Sequence, residues 1–220
     1  KFIFQHFQDN FITSFIKENS LGFQKIYNDQ RVNSVYLDTT SFSSFNQNID
    51  GCNRRTKVRV RFYGDYTEKQ AINLELKKKK GMTGWKEIYP INKSNNIEIK
   101  FDRIYREALN SGLPIEKFWY LQNLIPTLFC TYIREYYQSQ CKNYRITIDR
   151  NIKFSSFIGF SKIADVVNSL KSYDNYILEI KYPLIFDNQQ EDIPYKIPIR
   201  LTKSSKYVLG LYQVGLTTNI

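Results

Sequence analysis

Histidine is almost absent from this 220-residue chain, with His6 the only one. That argues against His-based catalytic triads and against zinc sites. Cysteine is scarce too: Cys52, Cys130 and Cys141 are odd in number and form no CxxC pair. Structural thiols in a reducing compartment are expected, not a disulfide framework. No run of 18 apolar residues and no signal-peptide pattern occurs, so a soluble, cytoplasmic chain without a transmembrane segment is expected. Only nine glycines and six prolines punctuate the sequence. No Ser/Pro/Gly-rich linker divides it and no internal repeat is found, so residues 1–220 are expected to form a single domain. Acids are in the minority, 21 Asp and Glu against 32 Lys and Arg, for a net charge of +11. Such an excess favours a polyanionic partner: nucleic acid, an acidic membrane or a phosphate chain.

What the chain has in plenty is Tyr and Phe, seventeen and sixteen, the composition of a β-rich globule. Residues 7–19 read as an amphipathic helix with Phe11, Phe15 and Ile16 on one face. A strand over 31–39 is followed by a short helix or turn ending at Gly51. Alternating strands follow over 56–64, 71–79 and 85–91. The middle is helical, over 99–112 and, opened by Pro114, over 114–125. Three more strands cover 127–138, 143–152 and 175–183, and a last helix starts near Ser204 and Ser205. His6 reads as a surface or capping residue. The segment "GMTG" reads as a hairpin, since no helix start follows it for a phosphate to sit on. The class is α+β: antiparallel strands with a few covering helices.

The strands share one peculiarity. In "TKVRVRFYG" (56–64), Val58, Val60 and Phe62 point one way, while Lys57, Arg59 and Arg61 point the other, with Arg55 extending the row. Glu75 and Lys77 alternate with Leu74 and Leu76. Arg145, Thr147 and Asp149 oppose Tyr144, Ile146 and Ile148. Glu179 and Lys181 oppose Leu178, Ile180 and Tyr182, and Arg134 lies in an otherwise apolar strand. A row of like charges is unfavourable unless water or an anion offsets it. Two architectures accommodate charged faces on at least four strands. An open sheet exposes them to water, or a barrel of about eight strands encloses them. In the second, converging guanidinium groups would suit phosphate oxygens, and a carboxylate among them would hold Mg²⁺ or Mn²⁺ together with substrate phosphates.

The order "SVYLDT … RTKVRVRFYG … LELK … WKEIYPI … YIREYY … YRITIDRNI … LEIKYP … SSKYVLGL" resembles the polyphosphate polymerase domain of vacuolar transporter chaperone complexes, one of the triphosphate tunnel metalloenzymes. The resemblance runs from Lys1 to about Leu211. It implies an antiparallel β-barrel tunnel that binds ATP or another nucleoside triphosphate, with Mn²⁺ or Mg²⁺ as cofactor. It further implies transfer of the γ-phosphate to a growing polyphosphate chain. By motif, Arg59 and Arg61 match the paired arginines of the family's "R-x-R" strand, Lys77 the lysine of "E-x-K", and Lys86 a lysine on the next strand. Arg134 matches "Y-x-R", Arg145 the arginine of a strand ending in Asp, and Lys206, with Ser205, the "S-K-[FY]" near the end. These would clamp and neutralise phosphates. Lys1, Lys57 and Lys181 would add substrate contacts, and Glu179, with Glu75, would bind the metal. Residues 1–220 are expected to hold neither the inositol-phosphate-sensing domain nor the transmembrane helices of the eukaryotic assemblies.

Two other functions are open at this point. A tunnel phosphohydrolase would cleave triphosphate with water, but such enzymes carry several facing glutamates, and here Glu75 and Glu179 stand with only Asp149 as a third acid. A non-catalytic binder would keep the cations without turnover. An RNA-binding sheet is disfavoured, and no nucleic-acid partner is expected, because no aromatic pair sits on the charged faces.

Overall fold

The structure is a computed structural model that describes residues 1–65, 71–81, 83–91, 100–183, 197 and 199–217. Met82, in the expected hairpin, and Ile99, at the start of the expected 99–112 helix, lie outside the described residues. Among the described residues ten strands and six α-helices are formed. The strands are β1 (Phe2–Gln5), β2 (Gln24–Lys25), β3 (Gln30–Asp38), β4 (Arg54–Tyr63) and β5 (Ile72–Lys80), then β6 (Thr83–Ile91), β7 (Ile125–Gln138), β8 (Arg145–Ser156), β9 (Lys171–Tyr173) and β10 (Asn175–Lys181). The helices are α1 (Asp9–Glu18), α2 (Ser43–Ile49), α3 (Phe101–Asn110), α4 (Ile115–Gln122), α5 (Ile163–Val167) and α6 (Lys206–Val214). The α+β class expected from the alternation is therefore formed. Hydrogen bonding orders the strands β1-β10-β8-β7-β3-β4-β5-β6, eight on the path, with β2 on β7 and β9 on β8. This order has two ends, so backbone pairing among the described residues does not close it into a ring.

Contacts divide the chain into two interleaved compact units, and β3, β7, β8 and β9 run through both. The first comprises Lys1–Arg31, Tyr132–Ile152 and Ser172–Ser205. Its core is made by the apolar faces of β1, β8 and β10 and of α1: Phe2, Phe4, Ile12, Ile16, Ile148 and Leu178 are all buried. The second comprises Val32–Thr131, Lys153–Lys171 and Lys206–Ile220. There Val58, Val60 and Phe62 on β4 and Leu74 and Leu76 on β5 pack with Ile104, Tyr105 and Ala108 of α3 and Leu121 of α4. The apolar half of each alternating strand thus goes under helices, and the charged half is left on the opposite side.

Three local devices fix elements near the charged residues. In the second unit, the buried Asp38 at the end of β3 accepts hydrogen bonds from the backbone N–H groups of Ser44 (2.8 Å) and Phe45 (3.1 Å), and so caps α2 from outside. Its Oδ2 also accepts from the Tyr207 hydroxyl at 2.7 Å, which pins α6. Burial and the Asp38 carboxylate both push the Tyr207 hydroxyl pKa up, so it remains a donor. Gly210 of α6 lies against Leu128 and Phe154, where no Cβ fits. Elsewhere in this unit Glu87 on β6 accepts from Lys78 (2.7 Å) and from Lys117 of α4 (2.7 Å). Lys78 therefore serves the helix-covered side of β5. Burial would raise the Glu87 carboxyl, but the two lysines outweigh it and hold it at about 2. Of the cysteines, Cys130 is buried, Cys52 half-buried and Cys141 exposed.

Candidate phosphate-binding faces

In the second unit the polar face of β4 lies between those of β3 and β5. Register places Arg61 opposite Ser34 and Asn73, and Arg59 opposite Tyr36 and Glu75. One step further, Lys57 faces Lys77, and Lys77 faces Lys86 on β6. Three lysines thus lie side by side across three neighbouring strands. Directly opposed like charges destabilise a sheet unless something offsets them.

The one acid on the polar face of β5 is Glu75, only 2% exposed. Its Oε2 accepts from Arg59 Nε at 2.7 Å and lies 3.8 Å from Arg61 Nη1, and its Oε1 accepts from Lys86 Nζ at 3.1 Å. Burial would raise this carboxyl, but Arg59, Arg61 and Lys86 outweigh it and bring it down to about 2. Glu75 therefore orients two arginines and a lysine on this face. Arg61 Nε also donates to Ser34 Oγ at 3.3 Å, and Lys57 Nζ donates to Asn48 Oδ1 of α2 at 2.7 Å. Lys206, the first residue of α6, is buried, 8% exposed. Charged groups of this size are rarely buried without a purpose.

The first unit carries its own charged face. Arg134 on β7 forks onto Asp149 of β8, Nε to Oδ1 at 2.5 Å and Nη2 to Oδ2 at 2.8 Å. Its guanidinium also lies 5.2 Å from the Tyr132 ring centre and 5.9 Å from that of Tyr136. Burial alone would lower its pKa, yet Tyr132 and Asp149 raise it, so the charge is locked in place. On β10, Lys181 faces Arg145, another opposed pair of cations, and Glu179 faces Thr147. Lys1 Nζ is 3.7 Å and Lys181 Nζ 4.0 Å from the Glu179 carboxylate. Ser205 is half-buried and immediately precedes α6.

Would these residues accept a hard divalent cation? Glu179 lies beside Lys1 and Lys181, and across the strand pair Thr147 Oγ1 is buried without a hydrogen-bond partner among the described residues. A carboxylate beside an orphaned hydroxyl is an oxygen donor set suited to Mg²⁺ or Mn²⁺. Glu75 has both oxygens held by cations. Among the described residues no three His, Cys, Asp or Glu side chains gather as a ready-made metal cage. Phosphate oxygens and water would have to supply most of the ligands, as is usual for Mg²⁺ bound with a substrate.

The sequence motifs picked out the cations but not what positions them. Ser34, Tyr36, Asn48 and Asp38 carry no charge pattern of their own and act through strand pairing or helix docking. Thr147 was legible only as an uncharged member of the polar face of β8.

Among the described residues no helix is long and apolar enough to cross a membrane. A search of curated proteins finds no significant match. A family model, described as the VTC domain, matches residues 5–214. That match covers nearly every element described above and both charged faces apart from Lys1. It supports a polyphosphate-related function, and the chain belongs to the VTC domain family.

Proposed function

We propose that this chain is an ATP-dependent polyphosphate polymerase. In the reaction, an ionised terminal oxygen of a polyphosphate chain attacks the γ-phosphorus of ATP. The bond from that phosphorus to the β–γ bridging oxygen breaks, a new phosphoanhydride forms, and ADP leaves. The observation that carries this reading is the cation grid of the second unit. Lys57, Lys77 and Lys86 lie in one row beside Arg59 and Arg61, with a single buried acid among them. Phosphoryl transfer asks little covalent work of a protein. It needs alignment and neutralisation of spreading negative charge. Arg59 and Arg61, positioned by Glu75 and Ser34, would grip phosphate oxygens through their planar guanidinium forks. Lys77 and Lys86 would neutralise the transferring group, with Lys57 and Lys206 adding charge.

In the first unit, Arg134, Arg145, Lys1 and Lys181 are the cations we assign to phosphate, and Ser205 is assigned a hydrogen bond to it. Glu179 is the group we assign to Mn²⁺ or Mg²⁺, with Thr147 beside it. The metal, when bound, supplies charge neutralisation at phosphate oxygens. No side chain need remove a proton, because the attacking phosphate oxygen is already ionised, which agrees with the scarcity of histidine.

Incubation with ATP and Mn²⁺, with separate detection of ADP, polyphosphate and orthophosphate, tests the reading. Polyphosphate formed together with ADP is expected. Orthophosphate with ADP and no polymer would make the chain a phosphohydrolase, and ATP binding without ADP release would make it a binder. In Glu179→Gln, polymer formation should fall at least 100-fold while ATP affinity changes only a few-fold. Gln keeps the shape but loses the charge that holds a hard cation. A Glu179→Gln variant that melts earlier yet still polymerises would mean a salt-bridge role with Lys1 or Lys181 instead.

A further inference from the structure

The polar face of β4 and β5 does not end at the lysine row. Register continues to Arg55 opposite Lys79, and beyond them Arg54 opposite Lys80 at the hairpin end. Strand alternation puts Arg55 and Lys79 on the same face as Lys57, Lys77, Arg59 and Arg61. On β6 the partner of Lys79 is Gly84, so no side chain fills that end of the row. A Cβ built at Gly84 would meet nothing closer than the Lys78 carbonyl oxygen at 3.5 Å. The floor beside Lys79 is therefore open backbone.

Successive same-face rows are about 7 Å apart, so the track from the Arg61 row to the Arg55 row runs roughly 20 Å. That is longer than three linked phosphates can span. No acid lies on this face of β4 or β6, and the one on β5, Glu75, sits two rows away in the arginine cluster. Among the described residues Arg55 donates to the Cys52 carbonyl, at 3.2 Å, which steadies the guanidinium without neutralising it. Charge of one sign, arranged linearly and without aromatic surface in these outer rows, matches a flexible polyanion without bases to stack. The nearest tryptophan, Trp85, faces Lys78 on the other side of the sheet.

We infer that Arg55 and Lys79, over the open backbone of Gly84, form a separate binding site for the distal phosphates of a linear inorganic polyphosphate, beyond the positions that a triphosphate occupies. The inference rests on the reading of the inner rows as the triphosphate site, and it adds a second, length-sensing part to it. The site makes affinity grow with chain length until the outer row is filled, and it holds a growing chain between additions.

The test compares Arg55→Ala/Lys79→Ala with the unaltered protein. Affinity is measured for inorganic triphosphate, for a polyphosphate of about ten units, and for a single-stranded oligonucleotide of similar charge. The unaltered protein should bind the longer chain at least tenfold more tightly than triphosphate. The double variant should lose most of that advantage while its triphosphate affinity stays within about twofold, and Arg55→Lys should retain it. An unchanged length advantage in the double variant overturns the inference, as does an equal loss for triphosphate. Tighter binding of the oligonucleotide than of polyphosphate also overturns it, in favour of a nucleic-acid surface. Failure of triphosphate to bind the unaltered protein, with the longer chain still dependent on Arg55 and Lys79, would instead remove the inner-row reading and leave this site standing. A thermal melt without ligand guards against misfolding, and charge removal at these half-buried positions should leave it unchanged or raise it slightly.

Discussion

Glu75 is where charge and stability meet at a single residue. Its carboxylate is buried among Arg59, Arg61 and Lys86, and removing it leaves three cations facing one another. Glu75→Gln should therefore cost on the order of 3 kcal/mol in the absence of ligand, within the usual range for breaking a buried ion pair. The pH dependence has a definite sign. The folded-state pKa is lowered to about 2 from 4.5, so the stabilisation is fully present above about pH 4.5. It is lost as pH falls through the interval down to about 2. Denaturant melts of the two proteins should differ most above pH 4.5 and converge toward pH 2. A gap that stays constant down to pH 2 would mean that Glu75 stabilises through shape and not charge. Bound triphosphate should narrow the gap at neutral pH, because it supplies the missing anion.

At the scale of elements, α6 has the least room for change. Gly210 is wedged against Leu128 and Phe154, and the Tyr207 ring stacks on Tyr36 at 5.1 Å between centres. Gly210→Ala should destabilise the protein by about 1–3 kcal/mol, since an added methyl must push side chains of a packed core aside. Thermal unfolding measures this. A rise in melting temperature would show that helix propensity outweighs the clash. The same helix shows which parts of the fold were legible. Its existence and its start near Ser205 followed from local spacing. Its anchor did not, because Tyr207 and Asp38 are 169 residues apart in sequence. The charged strands β4, β5, β8 and β10 were readable because each buries one face only, which forces strict alternation. β1, "FIFQ", is too short to show a period, and β2, β9 and α5 are shorter still or irregular. The cations of the candidate site were visible as departures from an apolar pattern. Asn48, which holds Lys57, and Ser34, which holds Arg61, look like ordinary polar residues until the fold brings them close.

For the molecule as a whole, a net charge of +11 sets two salt dependences of opposite sign. Opposed cations repel one another in the ligand-free protein, across Lys57–Lys77–Lys86 in one unit and Arg145–Lys181 in the other. Added KCl screens that repulsion, with a Debye length that shrinks from about 10 Å at 0.1 M to about 3 Å at 1 M. The melting temperature without ligand should rise as KCl increases, because self-repulsion of a highly charged chain opposes its compact state. Binding of triphosphate draws on the same field in the attractive sense, so its affinity should fall by roughly tenfold or more between 0.05 and 0.5 M KCl. Ligand-induced stabilisation follows affinity and amounts to about 2.7 kcal/mol when the ligand stands at 100 times its Kd. The rise in melting temperature produced by a fixed triphosphate concentration should therefore shrink with salt while the ligand-free value climbs, and the two melting curves should approach each other. A univalent salt is required, since sulfate or phosphate would fill the cation rows directly. If the ligand-free melting temperature is indifferent to KCl while affinity still falls, the rows are already neutralised within the protein. The ion pairs on Glu75 and Asp149 would then be sufficient, and the repulsion inferred from strand register would play no part in recruiting phosphate.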